Sequence, residues 1–322
     1  MMQIAIDAGH GYVKALSSRG GRQIFPALIH PAPTAVDLGA FGQLPITQID
    51  SASYLIGTAA ERFAAPLWSR DKALDDDTLR LILVAAAQCG AVGPVQLATG
   101  LPLAWYGGSR RQFMQALRGY TGTVVLPNGD SHRLWFESVL VLPQGVAAAG
   151  PALDAEPYQP GPYLIVDIGY RTTDFIVVTK QATGRLDFDP LAAGSLEIGM
   201  HTVYSTLAQR LTDQYRIAFT AAQVARQTDT IIVRGQSISL VADRVAQEKQ
   251  VARRVIQGLL EKLDSQMDQV LGLVAVGGGS SLLAQSLSTV IQPADPQWAN
   301  VRGYLAAAMA MNPSLNLSRH SS

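Results

Sequence analysis

Two similar stretches, DAGHGYVK at residues 7–14 and DIGYRTTD at residues 167–174, decide how this chain of 322 residues is interpreted. Each follows a short and largely apolar run, Gln3–Ile6 in the first case and Tyr163–Val166 in the second. An apolar run that leads into a glycine-containing turn indicates a β-hairpin. Because the same arrangement occurs twice, about half a chain length apart, we predict two similar halves that bind one ligand.

The residue types of these two stretches, which we call the first hairpin and the second hairpin, suit a polyphosphate and its metal ion. Glycine lets the backbone approach a ligand closely, and successive backbone N–H groups in a turn can bind phosphate oxygens. Asp7 and Asp167 stand at predicted strand ends, where they can hold Mg²⁺ through its water molecules. Lys14 can neutralise a β- or γ-phosphate. For either hairpin alone, an ordinary turn with a solvated aspartate is the alternative.

A third glycine-rich segment, VGGGSSL at residues 276–282, follows the predicted buried strand Leu273–Val276 and precedes a predicted helix. A helix N-terminus without obstructing side chains favours a bound ligand. The segment has neither the Gly-Lys-Ser/Thr ending of a Walker A motif nor the spacing of a dinucleotide-binding motif. A tightly packed strand–helix junction explains the glycines equally well.

Gln144 follows the predicted strand Val139–Leu142, near the end of the first half of the chain. A neutral amide can orient a water molecule for attack on a γ-phosphate without taking its proton. The alternative is a polar residue that faces solvent in a turn.

The composition indicates a globular protein and argues against one that binds nucleic acid on a broad basic surface. Hydrophobic residues make up 48% of the chain and charged residues 16%, so large cores can be buried. Lys+Arg and Asp+Glu both number 25, and a chain without net charge is not expected to hold nucleic acid on a broad basic surface. A near-neutral protein also repels its own copies weakly, which permits self-association.

The chain carries no sequence signal for export or for membrane insertion. Its N-terminus lacks the basic and apolar regions of a signal peptide. The longest apolar stretch, near Leu81–Ala87, is far shorter than the ~20 residues that span a bilayer. Cys89 is the only cysteine, which excludes an intrachain disulfide and a cysteine-based zinc site. We therefore expect a soluble, cytoplasmic protein without membrane contact.

Taken in order along the chain, these elements resemble the motifs of the actin-like ATPases. The first hairpin, including Lys14, is similar to the first phosphate loop of that family, and the second hairpin is similar to the second. Pro143–Val146 resembles the first connecting segment, residues 276–282 the adenosine loop, and Asn300–Tyr304 the second connecting segment. The resemblance covers nearly the whole chain.

The resemblance implies an α/β fold of the bilobed, actin-like (ribonuclease H-like) type, with two mixed-sheet domains around a nucleotide cleft. Domain I is expected to span residues 1–155 and 304–322, with a small insertion at about 37–93. Domain II is expected to span residues 156–303, with an insertion at about 215–250. The stretch Pro151–Pro162, which carries four prolines, is the expected boundary.

The resemblance also implies the cofactors, ATP and Mg²⁺, and the residues that bind them. Asp7 and Asp167 are expected to hold hydrated Mg²⁺ from opposite lobes, and Gln144 is expected to place the attacking water. His10 and Tyr170 are bulkier than the residues common in such loops, so backbone N–H groups are expected to bind the phosphates. The expected nucleotide contacts are Gly9, His10, Gly11, Tyr12, Lys14, Gly169, Tyr170, Arg171, Thr172, Glu197, Gly277, Gly278, Gly279 and Ser280.

Within the superfamily, the chain most resembles the plasmid-segregating ParM (StbA) group and the small archaeal actin-like proteins. Gln144 is more like actin and the archaeal branch, since ParM carries glutamate there. The resemblance implies a slow ATP hydrolase that forms nucleotide-dependent filaments and segregates plasmid DNA through a DNA-binding adaptor. The alternatives are a sugar-type kinase of the same fold and a nucleotide-binding scaffold that does not polymerise. The sequence leaves the preference for ATP or GTP open.

Overall fold

The structure is a computed structural model, and it describes residues 1–34, 42–64, 72, 75–154, 158–227, 229–287 and 289–311. The chain forms two compact units. Unit 1 comprises Met1–Leu101, Trp105–Ala147 and the chain from Asn300 onward, and unit 2 comprises Pro102–Ala104 and Ala148–Ala299. The unit boundaries at 147/148 and 299/300 lie earlier in the chain than the expected 155/156 and 303/304, because most of the helix Val146–Asp154 packs with unit 2.

Unit 1 is built on a mixed sheet of nine strands. Its strands are β1 (Met2–Ala8), β2 (Tyr12–Ser17), β3 (Arg22–Pro26), β4 (Ile29–Pro31), β5 (Ile46–Ile49), β6 (Ala52–Ile56), β7 (Gly93–Leu101), β8 (Thr121–Val125) and β9 (Ser131–Pro143). The order across the sheet is β3-β2-β1-β7-β9-β8-β5-β6-β4. All seven residues of β1 are buried, as expected for a strand in the centre of a covered sheet.

The helices of unit 1 are α1 (Asp76–Gln88), most of α2 (Leu103–Leu117) and α8 (Ala299–Ala310). Helix α1 begins as its sequence predicts, since Asp75 is the N-cap and its carboxylate accepts hydrogen bonds from the Asp77 N–H and the Thr78 hydroxyl. Nine of its thirteen residues are buried. It therefore forms the main hydrophobic core of the unit together with the sheet.

The described residues of unit 2 form a sheet of five strands, a separate two-stranded sheet and five α-helices, of which α3 begins in unit 1. The strands are β10 (Gly161–Ile168), β11 (Thr173–Lys180), β12 (Leu186–Leu196), β13 (Thr230–Val233), β14 (Gln236–Ser239), β15 (Gly272–Val276) and β16 (Val290–Ile291). The helices are α3 (Val146–Asp154), α4 (Met200–Tyr215), α5 (Ala221–Arg226), α6 (Val241–Leu263) and α7 (Ser281–Ala284).

The predicted repeat between the two halves is confirmed by strand order. In unit 1 the order β3-β2-β1-β7-β9 contains three antiparallel strands followed by two parallel pairings. In unit 2 the order β12-β11-β10-β15-β16 has the same sequence of antiparallel and parallel pairings. The first and second hairpins thus occupy equivalent positions in two equivalent sheets.

Three elements differ from what their sequence indicates. The spacing of Leu207 and Leu211 predicts one helix over Leu196–Tyr215, whereas the structure has the end of β12, a bend and then α4. The run Gln23–Ile29 predicts one strand, which the structure divides into β3 and β4. The apolar spacing over Val241–Val270 predicts one long helix, but α6 ends at Leu263 and a short 3-10 segment follows at Asp264–Gln269. Local residues account for two of these breaks, because Pro26 lacks the N–H of a continuing strand and Asp264 has a positive φ of 44°.

Candidate functional site

The first hairpin pairs its two charged residues directly. Strands β1 and β2 are antiparallel, and Asp7 lies opposite Lys14 in their register. The Lys14 Nζ is 2.8 Å from Asp7 Oδ2. The loop between the strands is closed by the Gly9 N–H, which donates to the Tyr12 carbonyl at 3.1 Å. The Ala27 N–H in turn donates to the Gly11 carbonyl, so the loop is held at both ends.

Asp7 interacts with several polar side chains beside the first hairpin. It is buried, with 3% of its surface exposed. Burial alone would raise the pKa of the carboxyl, but the charge and hydrogen bond of Lys14, the charge of Lys72 and the hydrogen bond of Gln144 together lower it below the ordinary value. Asp7 is therefore an anion at neutral pH, as a residue that holds hydrated Mg²⁺ requires.

Gln144 lies beside Asp7, although 137 residues separate them in the chain. Its Nε2 donates to Asp7 Oδ1 at 3.0 Å. The backbone fixes this position, because the Gln144 N–H donates to the Leu101 carbonyl and the next residue, Gly145, has a positive φ of 77°. The structure thus brings Gln144 together with Asp7 and Lys14 of the first hairpin, although the two motifs are far apart in the sequence.

His10 does not project over the loop, contrary to what its size suggests. It is buried, and its ring lies edge-on to Trp105, 5.5 Å between ring centres. Tyr12, at the other end of the loop, is 46% exposed. The imidazole therefore packs against the start of α2 and leaves the loop backbone accessible.

Lys72 lies beside the first hairpin, and no pattern in the sequence indicates it. Its Nζ donates to the Ala8 carbonyl at 2.6 Å, immediately before the loop of the first hairpin. The residue belongs to no motif, and a lone lysine among polar residues predicts an exposed side chain. Only the folded chain shows that it is 3% exposed.

The second hairpin repeats the geometry of the first. Asp167 lies opposite Asp174 in the register of β10 and β11. The Gly169 N–H donates to the Thr172 carbonyl at 2.9 Å, in the same way that Gly9 donates to Tyr12. An aspartate replaces the lysine at the opposing position, and the Ser195 hydroxyl donates to Asp174. The two hairpins are therefore alike in backbone and different in charge.

The glycine-rich segment 277–280 packs against the second hairpin. Gly277 has a positive φ of 85°, and a Cβ atom there would collide with Asp167 Oδ1. The Gly279 N–H donates to the Ile168 carbonyl at 2.9 Å, and the Ser280 Oγ accepts from Gln292. Gly278 alone of the three glycines is exposed. Two of the three glycines are thus needed for packing, and the predicted helix after them, α7, is a single turn.

The start of α4 supports the loop of the second hairpin. The Met200 and His201 N–H groups donate to the Gly169 and Tyr170 carbonyls at 3.1 and 2.8 Å. The preceding Gly199 is packed so tightly that a Cβ would lie 2.6 Å from the Tyr170 carbonyl oxygen. Glu197, predicted beside the ribose, is exposed in the bend before this glycine.

An aromatic and charged cluster beside Tyr170 is a second feature that the sequence analysis missed. Tyr170 stacks on Tyr204 with 6.3 Å between ring centres, and the Arg244 guanidinium lies 5.5 Å from the Tyr204 ring centre. Arg244 Nε and Nη2 are buried and, within the part of the chain that the structure describes, have no hydrogen-bond partner. Burial raises the pKa of Glu248, one turn further along α6, although the charge of Arg244 opposes this shift.

The remaining predicted residues of the second hairpin line the same region. Thr172 is buried, and the charge of Arg171 acts on His201, whose pKa is lowered first by burial and then by that charge. His201 meets Tyr170 edge-on at 5.5 Å. Among the described residues, no three His, Cys, Asp or Glu side chains cluster as ligands of a metal ion. Likewise, no described helix is long and apolar enough to cross a membrane.

Family models match both halves of the chain. The model described as the N-terminal domain of actin-like proteins matches residues 5–146, and the model described as the C-terminal part of an MreB-like archaeal actin homologue matches residues 165–289. Archaeal actin homologs from Thermoplasma acidophilum and Thermoplasma volcanium are each 27% identical to this chain over 331 residues. Each alignment covers 96% of this chain and 99% of the relative.

Solved structures of similar proteins share the fold. The crystal structure of an archaeal actin homolog superposes with a TM-score of 0.81 at 23% identity, covering 96% of this chain and all of the other. The same homolog has been solved in complex with ADP, with a TM-score of 0.80. A ParM filament from Clostridium botulinum gives a TM-score of 0.84 at 21% identity, covering 96% and 99% of the two chains. The match extends over nearly the whole of each chain.

Proposed function

This chain belongs to the actin-like superfamily, and from that premise we propose that it binds ATP with Mg²⁺ and hydrolyses it slowly as it assembles into filaments. The observation that carries the proposal is the repetition of one hairpin geometry in both units. In each hairpin a glycine N–H closes the loop onto a carbonyl, and an aspartate lies at the end of the strand before it. Two such loops suit a polyphosphate and its metal ion.

An adenine nucleotide is supported by two observations. The archaeal actin homolog that resembles this chain has been solved with ADP. In this chain, two buried nitrogens of Arg244 can donate hydrogen bonds to a ligand. Glu248, one turn away, has a carboxylate that can accept hydrogen bonds from ribose hydroxyls. We propose that the nucleoside binds in unit 2, with Glu197 and the exposed Gly278 among its contacts, and that the phosphates bind the backbone of the two hairpins.

The side chains around Asp7 suggest how hydrolysis proceeds. Lys14 pairs with Asp7 in the present structure and would turn to a phosphate oxygen when the nucleotide binds. Gln144 donates to Asp7 through Nε2, which leaves its Oε1 to accept an O–H from the attacking water and to orient it. Asp7 and Asp167 would hold Mg²⁺ through water, and the bound ion supplies positive charge that stabilises the phosphates.

The proposal includes the assembly of this protein into filaments. It is supported by the likeness to a ParM filament and by the absence of net charge, which lets copies associate with little repulsion. We also propose segregation of plasmid DNA in the cytoplasm, which the resemblance to the ParM group implies. Because the chain is neutral, a DNA-binding adaptor rather than the filament itself would contact the DNA.

The proposal is tested by sedimentation and light scattering of the purified protein with ATP and Mg²⁺, combined with phosphate release. Polymer that pellets with ATP and not without it, together with slow phosphate release, is expected. Asp167→Ala should lower phosphate release by at least about 100-fold, whereas Asp268→Ala, an exposed aspartate of unit 2, should leave it unchanged.

Two other outcomes would replace the proposal. Phosphate transfer from ATP to an added sugar without polymer would identify a kinase of the same fold. Nucleotide binding without polymer or hydrolysis would identify a scaffold. Repeating the sedimentation with GTP decides the base preference.

A further inference from the structure

Lys72 makes an unusual contact with the first hairpin. Its side chain is buried, and its Nζ donates to the Ala8 carbonyl at 2.6 Å. Ala8 is the last residue of β1 and directly precedes Gly9, the first residue of the loop. A lysine that is distant in sequence therefore fixes the point at which the loop leaves the sheet.

Burying this ammonium group is costly, so its presence calls for an explanation. A charged amine loses several kcal/mol when it leaves water, unless hydrogen bonds and opposite charges compensate. An apolar side chain of similar length would fill the same space without that cost. The first hairpin compensates for part of this cost through the Ala8 carbonyl, which accepts from Lys72, and through the nearby charge of Asp7.

Lys72 also lies beside α1. Nine of the thirteen residues of α1 are buried, and the helix packs in the core of unit 1. Thr78 and Leu81 of α1 line a cavity of about 10 Å³ together with Lys72 and residues of the first hairpin. That volume holds about one water molecule, so little space separates the lysine from the hairpin and from α1.

We propose that Lys72 is a positioning residue for the first hairpin, which holds the loop from its buried side so that the backbone N–H groups of residues 10 and 11 keep the spacing that phosphates need. Two lysines then have different roles at the first hairpin. Lys14 is the mobile partner that can exchange Asp7 for a phosphate, and Lys72 is the fixed support that remains when it does. The link also connects the loop to the predicted insertion, from which Lys72 comes.

The nucleotide part of this inference rests on the proposed function, but the mechanical part does not. Hydrogen–deuterium exchange without nucleotide tests the mechanical part. In Lys72→Met, amides of residues 8–14 should exchange about tenfold faster, as for a loop that opens more readily, while peptides of unit 2 stay unchanged. Lys72→Arg should restore slow exchange, because it returns a cationic donor. Lys262→Met, an exposed lysine at the end of α6, is the control.

Binding measurements test the nucleotide part. The affinity of Lys72→Met for ATP should fall about tenfold, whereas its affinity for adenosine, which has no phosphates, should match that of the unaltered protein. Unchanged exchange at residues 8–14, or an equal loss for ATP and adenosine, would overturn the assignment. If Lys72→Met does not fold, Lys72→Gln keeps a donor without the charge and is compared in its place. If the unaltered protein binds no ATP, the proposed function fails, and the exchange result still decides the role of Lys72.

Discussion

The charge of the Asp7 carboxylate is stabilised by individual side chains from three parts of the chain. Lys14 reaches it across one hairpin, Gln144 reaches it from the end of β9, and the charge of Lys72 acts from the segment before α1. Each partner favours the ionised carboxylate, so together they outweigh the cost of burying it. Arg244 is the opposite case, because two of its nitrogens are buried and have no hydrogen-bond partner among the described residues. That arrangement costs stability, which a ligand that accepts from those nitrogens would restore.

The burial of the Glu248 carboxyl predicts that its effect on protein stability depends on pH. Burial raises the pKa of this carboxyl, so its contribution to stability is present at low pH and is lost as the pH rises through the raised value. Glu248→Gln should therefore increase the melting temperature at pH 7 and change it little at pH 4. A thermal unfolding series from pH 4 to pH 8 measures this. An equal shift at every pH would mean that ionisation of Glu248 does not matter.

At the scale of the elements, contacts between loops and helix starts fix the hairpins. Helix α4 directs its first N–H groups to the carbonyls of the second hairpin, and the segment 277–280 packs on Asp167 and Ile168. Glycines permit these close approaches, since any side chain would displace one element from the other. The loop of the second hairpin is thus held by backbone contacts.

Gly199 and Gly278 form a matched pair for testing this packing. A Cβ on Gly199 would lie 2.6 and 2.7 Å from the carbonyl oxygens of Tyr170 and Gly169, so Gly199→Ala should destabilise the protein by about 2 kcal/mol. On Gly278 the nearest atoms, from Gln297, are 3.6 Å away, so Gly278→Ala should cost less than about 0.5 kcal/mol. Urea unfolding of both variants measures the difference. Similar losses would contradict the packing described above.

At the scale of the whole molecule, unit 1 is assembled from three separate parts of the chain. Its last part contributes α8, whose Tyr304 is completely buried and lies directly against Gly100 of β7. Gly303, next to it, is packed just as closely on the Ala147 carbonyl. The chain therefore has to return from unit 2 before unit 1 is complete.

We predict that unit 1 does not fold without α8. A fragment of residues 1–147 lacks α8 and is expected to show no cooperative unfolding transition, because Gly100 and its neighbours would lose their cover. In the full chain, Tyr304→Ala should cost about 4 kcal/mol by leaving a cavity in the core. Calorimetry of both proteins measures these effects. A fragment that unfolds cooperatively would show instead that α8 is dispensable.

The sequence by itself determined the two hairpins, the glycine-rich segment and the position of Gln144, because these depend on local patterns: apolar runs, glycines and charged residues at fixed spacing. The repeat of one sheet arrangement follows from the same patterns. Only the tertiary structure decided that β12 precedes α4, since Pro190 and Gly194 lie within that strand and weaken its sequence pattern.

Tertiary structure alone also decided which residues surround these motifs. Lys72, Arg244 and Glu248 lie in segments whose local sequence is typical of solvent-exposed charge, and Arg244 and Glu248 have the spacing of an ordinary helical ion pair. His10 turned inward because Trp105, 95 positions further along the chain, offers its ring an apolar partner. The physical reason is the same throughout: local patterns fix backbone turns, whereas burial depends on which distant segments the fold packs over them.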